Sequence, residues 1–359
     1  MITADLDSEL AAAIRTLIRR GALPAAAGQI ALTGTWRPGQ HGDPATYATA
    51  APFAIAGRSG LDPVQIAAAI ARSVSAADWI EAAGSTGAGY LTITVTHRAL
   101  ALSAARMAAA GPGCATSVIL RNTLSTSWLW PDLAAARSWQ HAWRLQADAM
   151  ISHLALAAGA SPAVPSGRER ASTPAPPHHG TRSPVADAVA YFGSASVRYR
   201  LGRTMPGGQP WPVSPARLMR PGSHLADPLY PVQEAHAAAA STLRWAGALG
   251  LEPAGPAEWL GRRLSAPSER ALLSQLSFLP VRVAAAARRH RPDELPHYLE
   301  QVSTAWLACR LQAPALPFGG RPAAADPEVS SARLVLAAAV AAVLAAGLAL
   351  TGIDARDRL

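Results

Sequence analysis

The sequence predicts an α+β N-terminal domain followed by an all-α C-terminal helical bundle. Helix and strand periodicities alternate over residues 1–110, whereas every periodic stretch after Asp227 is helical. Between them, the run from Ser161 to Pro184 is rich in Pro, Ser, Gly and His and too poor in large apolar side chains to build a core.

Within 1–110, an amphipathic helix is expected from Leu6 to Arg20 and a second from Asp62 to Val74. Apolar and polar residues then alternate over Tyr90-Leu91-Thr92-Ile93-Thr94-Val95-Thr96, the pattern of a half-buried strand. Residues 111–160 hold one strand-like run, Ser117-Val118-Ile119-Leu120, and a helix from about Asp132 to Ala158. Residues 161–184 read as a flexible linker. Its paired His178 and His179 have no third ligand nearby in sequence, so plain linker is preferred to a metal site. A connector over 185–225 leads to the helical region, 226–359. There Asp227-Pro228 is a helix N-cap with Pro in the first turn, and the helix runs through Ala246 to a stop at Gly250. Further helices are expected at Glu258–Leu264, Ser268–His290 with a kink at Pro280, Leu295–Leu311 and Pro327–Thr351.

The 20 residues from Leu334 to Ile353 carry no charge, about the length that crosses a bilayer core. Eight of them are Ala, an Asp326-Pro327-Glu328 start caps the helix, and no Trp or Tyr marks an interfacial belt at either end. A buried bundle helix is therefore preferred to a membrane anchor, and no membrane partner is expected.

The 359 residues are 50% apolar, enough for two or three packed domains, and carry a formal net charge of +9. Excess cations attract phosphates, which puts RNA first among partners, with no DNA expected. All 32 basic residues are Arg, so compositional bias in the gene competes with function as the source of that charge. Cys114 and Cys309 are far apart and form no metal-ligand spacing, which fits a reducing cytoplasm. The acidic start, Asp5-Leu6-Asp7, is unlike a signal peptide.

Three segments resemble arginyl-tRNA synthetases, in that family's order. Gly42-Asp43 with Tyr47-Ala48-Thr49 is similar to its G-D-Y-A-T motif, followed by Asp62-Pro63-Val64-Gln65-Ile66-Ala67 and then Gly87-Ala88-Gly89-Tyr90-Leu91-Thr92-Ile93, which resembles G-P-G-F-I-N-I. Asp227-Pro228-Leu229-Tyr230-Pro231-Val232-Gln233-Glu234-Ala235-His236-Ala237 resembles the start of the DALR anticodon-binding domain. Leu295-Pro296-His297-Tyr298-Leu299, Ala332-Arg333-Leu334-Val335-Leu336 and Gly347-Leu348-Ala349-Leu350-Thr351-Gly352-Ile353 continue it. Val185-Ala186-Asp187-Ala188-Val189-Ala190-Tyr191-Phe192 is similar to the stretch that follows the family's catalytic domain.

The resemblance implies a D-loop-binding N-terminal domain over 1–110, a catalytic-domain remnant over 111–160 and a DALR-type bundle over 226–359. The catalytic nucleotide-binding fold is largely absent from this reading. The helix from Ser138 to Ala158 resembles the one that carries the HIGH motif, yet Arg137-Ser138-Trp139-Gln140 stands in its place, and no lysine exists for a KMSKS element. Such groups stabilise charge on ATP phosphates, so the chain is expected not to be an enzyme and to need no cofactor.

The family's V-Q-Y-A-H-A-R becomes Val232-Gln233-Glu234-Ala235-His236-Ala237-Ala238, which removes an aromatic and an arginine that face the anticodon loop. Gln233 and His236 are either RNA contacts or a satisfied helix-packing pair. Arg244, Arg262, Arg263, Arg288, Arg289, Arg291 and Arg310 are the other candidate RNA contacts, although cations at 288–291 also suit a helix C-terminus. The leading expectation is a non-catalytic protein that binds tRNA or another structured RNA. The alternative is a protein-interaction scaffold that reuses the synthetase end domains.

Overall fold

The computed structural model describes residues 2–30, 34–39, 44–126, 129–163, 183–204, 227–253, 257–317 and 326–359. The chain divides into two compact units. One holds Met1–Ala110, Thr242–Val281 and Ala308–Ala339, and the other holds Gly111–Ser241, Arg282–Leu307 and Val340–Leu359. Gly42-Asp43 of the first motif, residues 164–182 of the expected linker with both of its histidines, and residues 205–225 of the connector lie outside the described residues.

The N-terminal elements are α1 (Ile2–Arg19), β1 (Arg37–Pro38), β2 (Thr46–Thr49), α2 (Ala51–Ser59), α3 (Pro63–Val74), β3 (Ile80–Ser85), β4 (Leu91–Val95) and α4 (His97–Ala110). Helix α1 forms because Leu6, Leu10, Ala13, Ile14 and Leu17 recur at helical spacing and are all buried, each Leu contributing about 1.5–3 kcal/mol. Its Asp7 also holds the following loop, accepting from the Trp36 indole N–H at 2.8 Å and the Gly34 amide at 2.9 Å. Asp62 caps α3 by accepting from the Val64 amide at 3.1 Å, and Pro63 occupies the first turn, where no donor is required.

The four strands pair antiparallel in the order β1-β2-β4-β3, with Tyr47 opposite Ile93. In β4 the expected alternation holds: Leu91, Ile93 and Val95 are buried while Thr92 and Thr94 are partly exposed. The β3–β4 turn uses Gly89 at φ +92, close against Pro63; a Cβ there would lie 3.1 Å from the proline ring.

The rest of the chain supplies β5 (Leu124–Ser125), α5 (Trp139–Ala157), β6 (Ser161–Pro162), α6 (Pro184–Phe192), α7 (Ser194–Arg203), α8 (Tyr230–Ala248) and α9 (Ala257–Arg263). It continues with α10 (Pro267–Ser277), α11 (Leu279–Arg288), α12 (Glu294–Gln312) and α13 (Pro327–Ala349). Helices thus follow an α+β N-terminal domain, and the boundary between the units falls within α8, α11, α12 and α13. Asp227 accepts from the Leu229 amide at 3.2 Å ahead of α8, and Gly250 at φ +71 stands just past its end.

Three local expectations differ from the structure. Residues 117–120 form no strand: the Ser117 and Leu120 amides donate to Ala157 and Ala158 at the end of α5, leaving Val118 exposed and paired with no strand among the described residues. The helix expected from Asp132 begins at Trp139; Asp132 instead caps a short 3-10 turn over Leu133–Ala135, and Ser138 caps α5 through the His141 amide at 3.2 Å. The expected kink at Pro280 is a full break, because the chain tightens at Phe278, whose amide donates to Gln275, and α11 restarts with Pro280 in its first turn. Between residues 111 and 204 the described strands are β5 and β6, a parallel pair two residues long, so no full doubly wound sheet is present among the described residues.

In the first unit α9 and α10 rest on α4. Gly261 permits this: a Cβ there would lie 2.6 Å from Arg98 Cα and 2.7 Å from Arg98 N. The buried Tyr47 hydroxyl is 2.7 Å from Ser277 Oγ, and its ring lies 5.1 Å from that of Phe278. Burial pushes the Tyr47 phenol far above its ordinary range. Glu269, buried on α10, accepts from the Arg333 guanidinium at 2.7 Å, and Arg333 also donates to the Pro314 carbonyl at 3.0 Å.

In the second unit Leu133, Ala142, Val185, Val197 and Leu201 form a small core flanked by Trp139 and Trp143. Helix α13 is long and apolar enough to cross a membrane, yet 72% of its most apolar window is buried within the fold, as in a core helix.

Replacing Gly261 by Ala drives a methyl group into backbone that cannot yield, and is expected to cost about 1–3 kcal/mol in urea unfolding. Gly247, with open space around it, should accept Ala with a gain of up to about 1 kcal/mol. Equal effects at the two positions would contradict the close approach. Glu269→Ala strips the partner from Arg333 and is expected to cost about 3–5 kcal/mol; a cost below about 1 kcal/mol in the same assay would show the pair to be dispensable.

Candidate nucleic-acid interface

The residues expected to meet RNA fall into both units. Gln233 and His236 lie on α8, and both are buried, at 8% and 5% exposure. His236 Nδ1 lies 3.1 Å from the Arg356 carbonyl, to which it donates, binding α8 to the C-terminal residues. Both side chains are thus packed inside the fold.

In the second unit, α11 ends at Arg288, and His290 takes a left-handed backbone at φ +52 while the Arg291 amide closes onto the Ala286 carbonyl. Arg289 reaches Glu294 at 3.2 Å. Arg291 makes a two-pronged pair with Asp293, 2.8 Å on each arm, and that carboxylate raises the guanidinium further above its ordinary range. Arg288 is exposed and makes no ion pair among the described residues. In the first unit, Arg262 is exposed, while Arg263 is held by Asp326 at 2.8 Å and by Glu328. Arg244 is exposed on α8 and Arg310 is half-buried on α12. The structure therefore brings Arg288, Arg289 and Arg291 together and leaves their neutralisation unequal.

Sequence reasoning missed an exposed aromatic pair on the N-terminal domain. Tyr90, 42% exposed at the end of the Gly87–Gly89 turn, meets Phe53 of α2, 38% exposed, edge to face at 4.9 Å. The signal for Tyr90 lay in that turn, which ends the hairpin with an aromatic; nothing local pointed to Phe53. Two exposed rings offer faces on which unstacked bases can lie.

The helix that resembles the HIGH-bearing one is α5, and its surroundings are occupied by side chains of this chain. Arg198 donates to Gln146 Oε1 at 3.1 Å and to the Pro131 carbonyl at 2.6 Å, and lies 5.9 Å from the centre of the Trp130 ring. Burial lowers the pKa of this guanidinium, against the pull of Asp132. Gln146 in turn donates to the Thr351 carbonyl at 2.9 Å, and Trp130 stacks on His153 at 4.3 Å. Both thiols are buried, which pushes Cys114 up to about 12 and Cys309 up to about 11 and keeps them unreactive. Among the described residues no group of three or more His, Cys, Asp or Glu is placed to hold a metal ion.

Comparison with known proteins assigns both ends of the chain. The family described as "Arginyl tRNA synthetase N terminal domain" matches residues 4–95, and "DALR anticodon binding domain" matches residues 232–359. The arginine–tRNA ligase of Micrococcus luteus is 34% identical over 179 residues, which is 49% of this chain and 31% of that protein. That of Renibacterium salmoninarum is 33% identical over 179 residues, covering 49% of this chain and 30% of that ligase. That of Frankia alni is 37% identical over 137 residues, covering 37% of this chain and 23% of that ligase. The chain thus spans less than a third of the length of these relatives.

These matches overturn the expectation of a non-enzyme, because the relatives are named as ligases and the related family is enzymatic. The missing HIGH and KMSKS residues concern a catalytic region that so partial an alignment does not represent, so they do not establish an inactive protein. With a match to the synthetase N-terminal domain over 4–95 and to the DALR domain over 232–359, the chain is an arginyl-tRNA synthetase-related protein.

Proposed function

We propose that this protein binds tRNA, or another RNA of similar structure, holding it mainly through phosphate contacts from arginine and secondarily through base stacking on Tyr90 and Phe53. The observation that carries the reading is the presence, in one chain, of the two domain types that its family models describe as a tRNA synthetase N-terminal domain and an anticodon-binding domain. The net charge of +9 and the exposed Arg244, Arg262 and Arg288 support it. Burial of Gln233 and His236 argues that base reading on α8 is weak, because side chains packed inside the fold present little surface to a base. A cytoplasmic place in translation accords with this role.

One observation favours a second reading, a partner-binding surface on α8. Trp245 near the end of α8 and Leu249 just past it are 65% and 61% exposed. A protein partner would bury them, whereas phosphate binding would leave them open.

Fluorescence anisotropy with labelled tRNA tests the first reading. Affinity should fall steeply with salt, and arginine tRNA and unrelated tRNAs should bind within about tenfold of each other, since discrimination by stacking is worth only about 1–3 kcal/mol per base. Arg288→Ala with Arg289→Ala should weaken all tRNAs alike and reduce the logarithmic salt slope by about 1 for each phosphate left without its arginine. Tyr90→Ala should weaken binding by about 1–3 kcal/mol with little change in that slope. Absence of tRNA binding at low salt would remove the reading. A strong preference for arginine tRNA that disappears with an anticodon change would show that α8 reads bases.

A further inference from the structure

A second charged surface lies on α5, in the segment that neither matched domain covers. His141 and Arg144 are three residues apart on one side of the helix, Arg137 immediately precedes its Ser138 cap, and all three are exposed. The other side holds the helix in place through buried Ala142, Gln146, Ala149 and Met150. Between the charged residues, Trp139 and Trp143 pack against the core of this unit yet keep part of their rings accessible, and Trp143 donates its indole N–H to the Thr204 carbonyl at 3.2 Å.

The fold brings α5 close to the start of α12, just past the end of α11. Gly202 of α7 sits between the two: a Cβ there would lie 2.5 Å from Met150 Sδ on α5 and 4.0 Å from Pro296 Cγ in the first turn of α12. The buried Tyr199 hydroxyl donates to the Pro296 carbonyl at 3.1 Å and anchors that turn. The Arg288–Arg291 corner immediately precedes it in the chain. Asp148, one turn beyond Arg144, registers the junction: burial raises its carboxyl, while Arg144 and His290 both act in the opposite direction. Asp148 is the carboxylate facing the stripe. Glu294 and Asp293 are engaged with Arg289 and Arg291, whereas Arg137, Arg144 and Arg288 make no ion pair among the described residues.

We propose that Arg137, His141 and Arg144 along α5 join Arg288 and His290 at the end of α11 in one continuous surface that binds the phosphodiester backbone of RNA. Charge complementarity selects the occupant. Several cations without ion-paired carboxylates, alongside accessible indole rings, suit a polyanion with stackable bases better than a protein surface of mixed charge. The inference rests on the RNA-binding reading and adds to it a contact surface in the middle of the chain. The helix here resembles the one that carries a catalytic motif in synthetases, but its exposed side presents His141 and Arg144 one turn apart, with Arg137 just before its cap.

The test uses the full chain and a labelled tRNA transcript, titrated from about 50 to 200 mM salt. Arg137→Gln with Arg144→Gln should reduce the logarithmic salt slope by about 2 and weaken all tRNAs alike. Arg137→Lys with Arg144→Lys should restore most of the affinity, which separates removal of charge from a damaged fold. Hydrogen exchange over residues 139–148 should slow when tRNA is added. If the double Gln variant binds with wild-type affinity and slope while Arg288→Ala with Arg289→Ala weakens binding, the α5 surface is refuted and the RNA reading stands. If the intact chain binds no tRNA at about 50 mM salt, both fall. Protection of residues 139–148 by a protein partner, with none by tRNA, would also overturn the proposal.

Discussion

The arrangement of the first unit depends on one close approach, Gly261 of α9 against the backbone of His97 and Arg98 at the start of α4. Because no side chain intervenes, α9 can lie flat and α10 can follow onto the same helix. Residues far along the chain thereby become part of the N-terminal unit. Tyr47 then reaches Ser277 and Phe278, and Glu269 meets Arg333. Each of these contacts satisfies a buried polar group that would be costly alone.

The tyrosine of the segment similar to the G-D-Y-A-T motif illustrates what this does to a family signature. Tyr47 is fully buried, and its hydroxyl is spent on Ser277, so its part in this chain is to join the sheet to α10. Tyr90, from the neighbouring motif, stands at the surface. Two aromatics from similar segments thus have opposite fates, decided by which side of the sheet and turn they occupy.

Having only arginine as its basic residue shapes both units. Guanidinium groups pair with carboxylates on two prongs and cover apolar surface with their stems, so much of the positive charge is used internally. Arg203 with Glu300, Arg291 with Asp293, Arg263 with Asp326 and Glu328, and Arg333 with Glu269 are examples. Net charge alone therefore overstates what is available to a polyanion. The relevant cations are the exposed ones whose acidic neighbours are absent or already engaged, Arg137, Arg144 and Arg288 among them.

The sequence by itself determined those features whose causes are local. The caps at Asp62 and Asp227, the alternation across Leu91–Val95, and the order of family-like segments each depend on residues within a few positions of one another, and they suffice to reveal the α+β domain and the helices after it. Local pattern misled at Val118-Ile119, where β-branched residues suggest a strand but no strand among the described residues pairs with them, and at Pro280, where a kink and a break share the same signature. Only the tertiary structure decided that Gln233 and His236 turn inward and that Glu269 is tied to Arg333. Burial and ion pairing depend on what surrounds a side chain, and those neighbours come from distant parts of the chain that local periodicity cannot register.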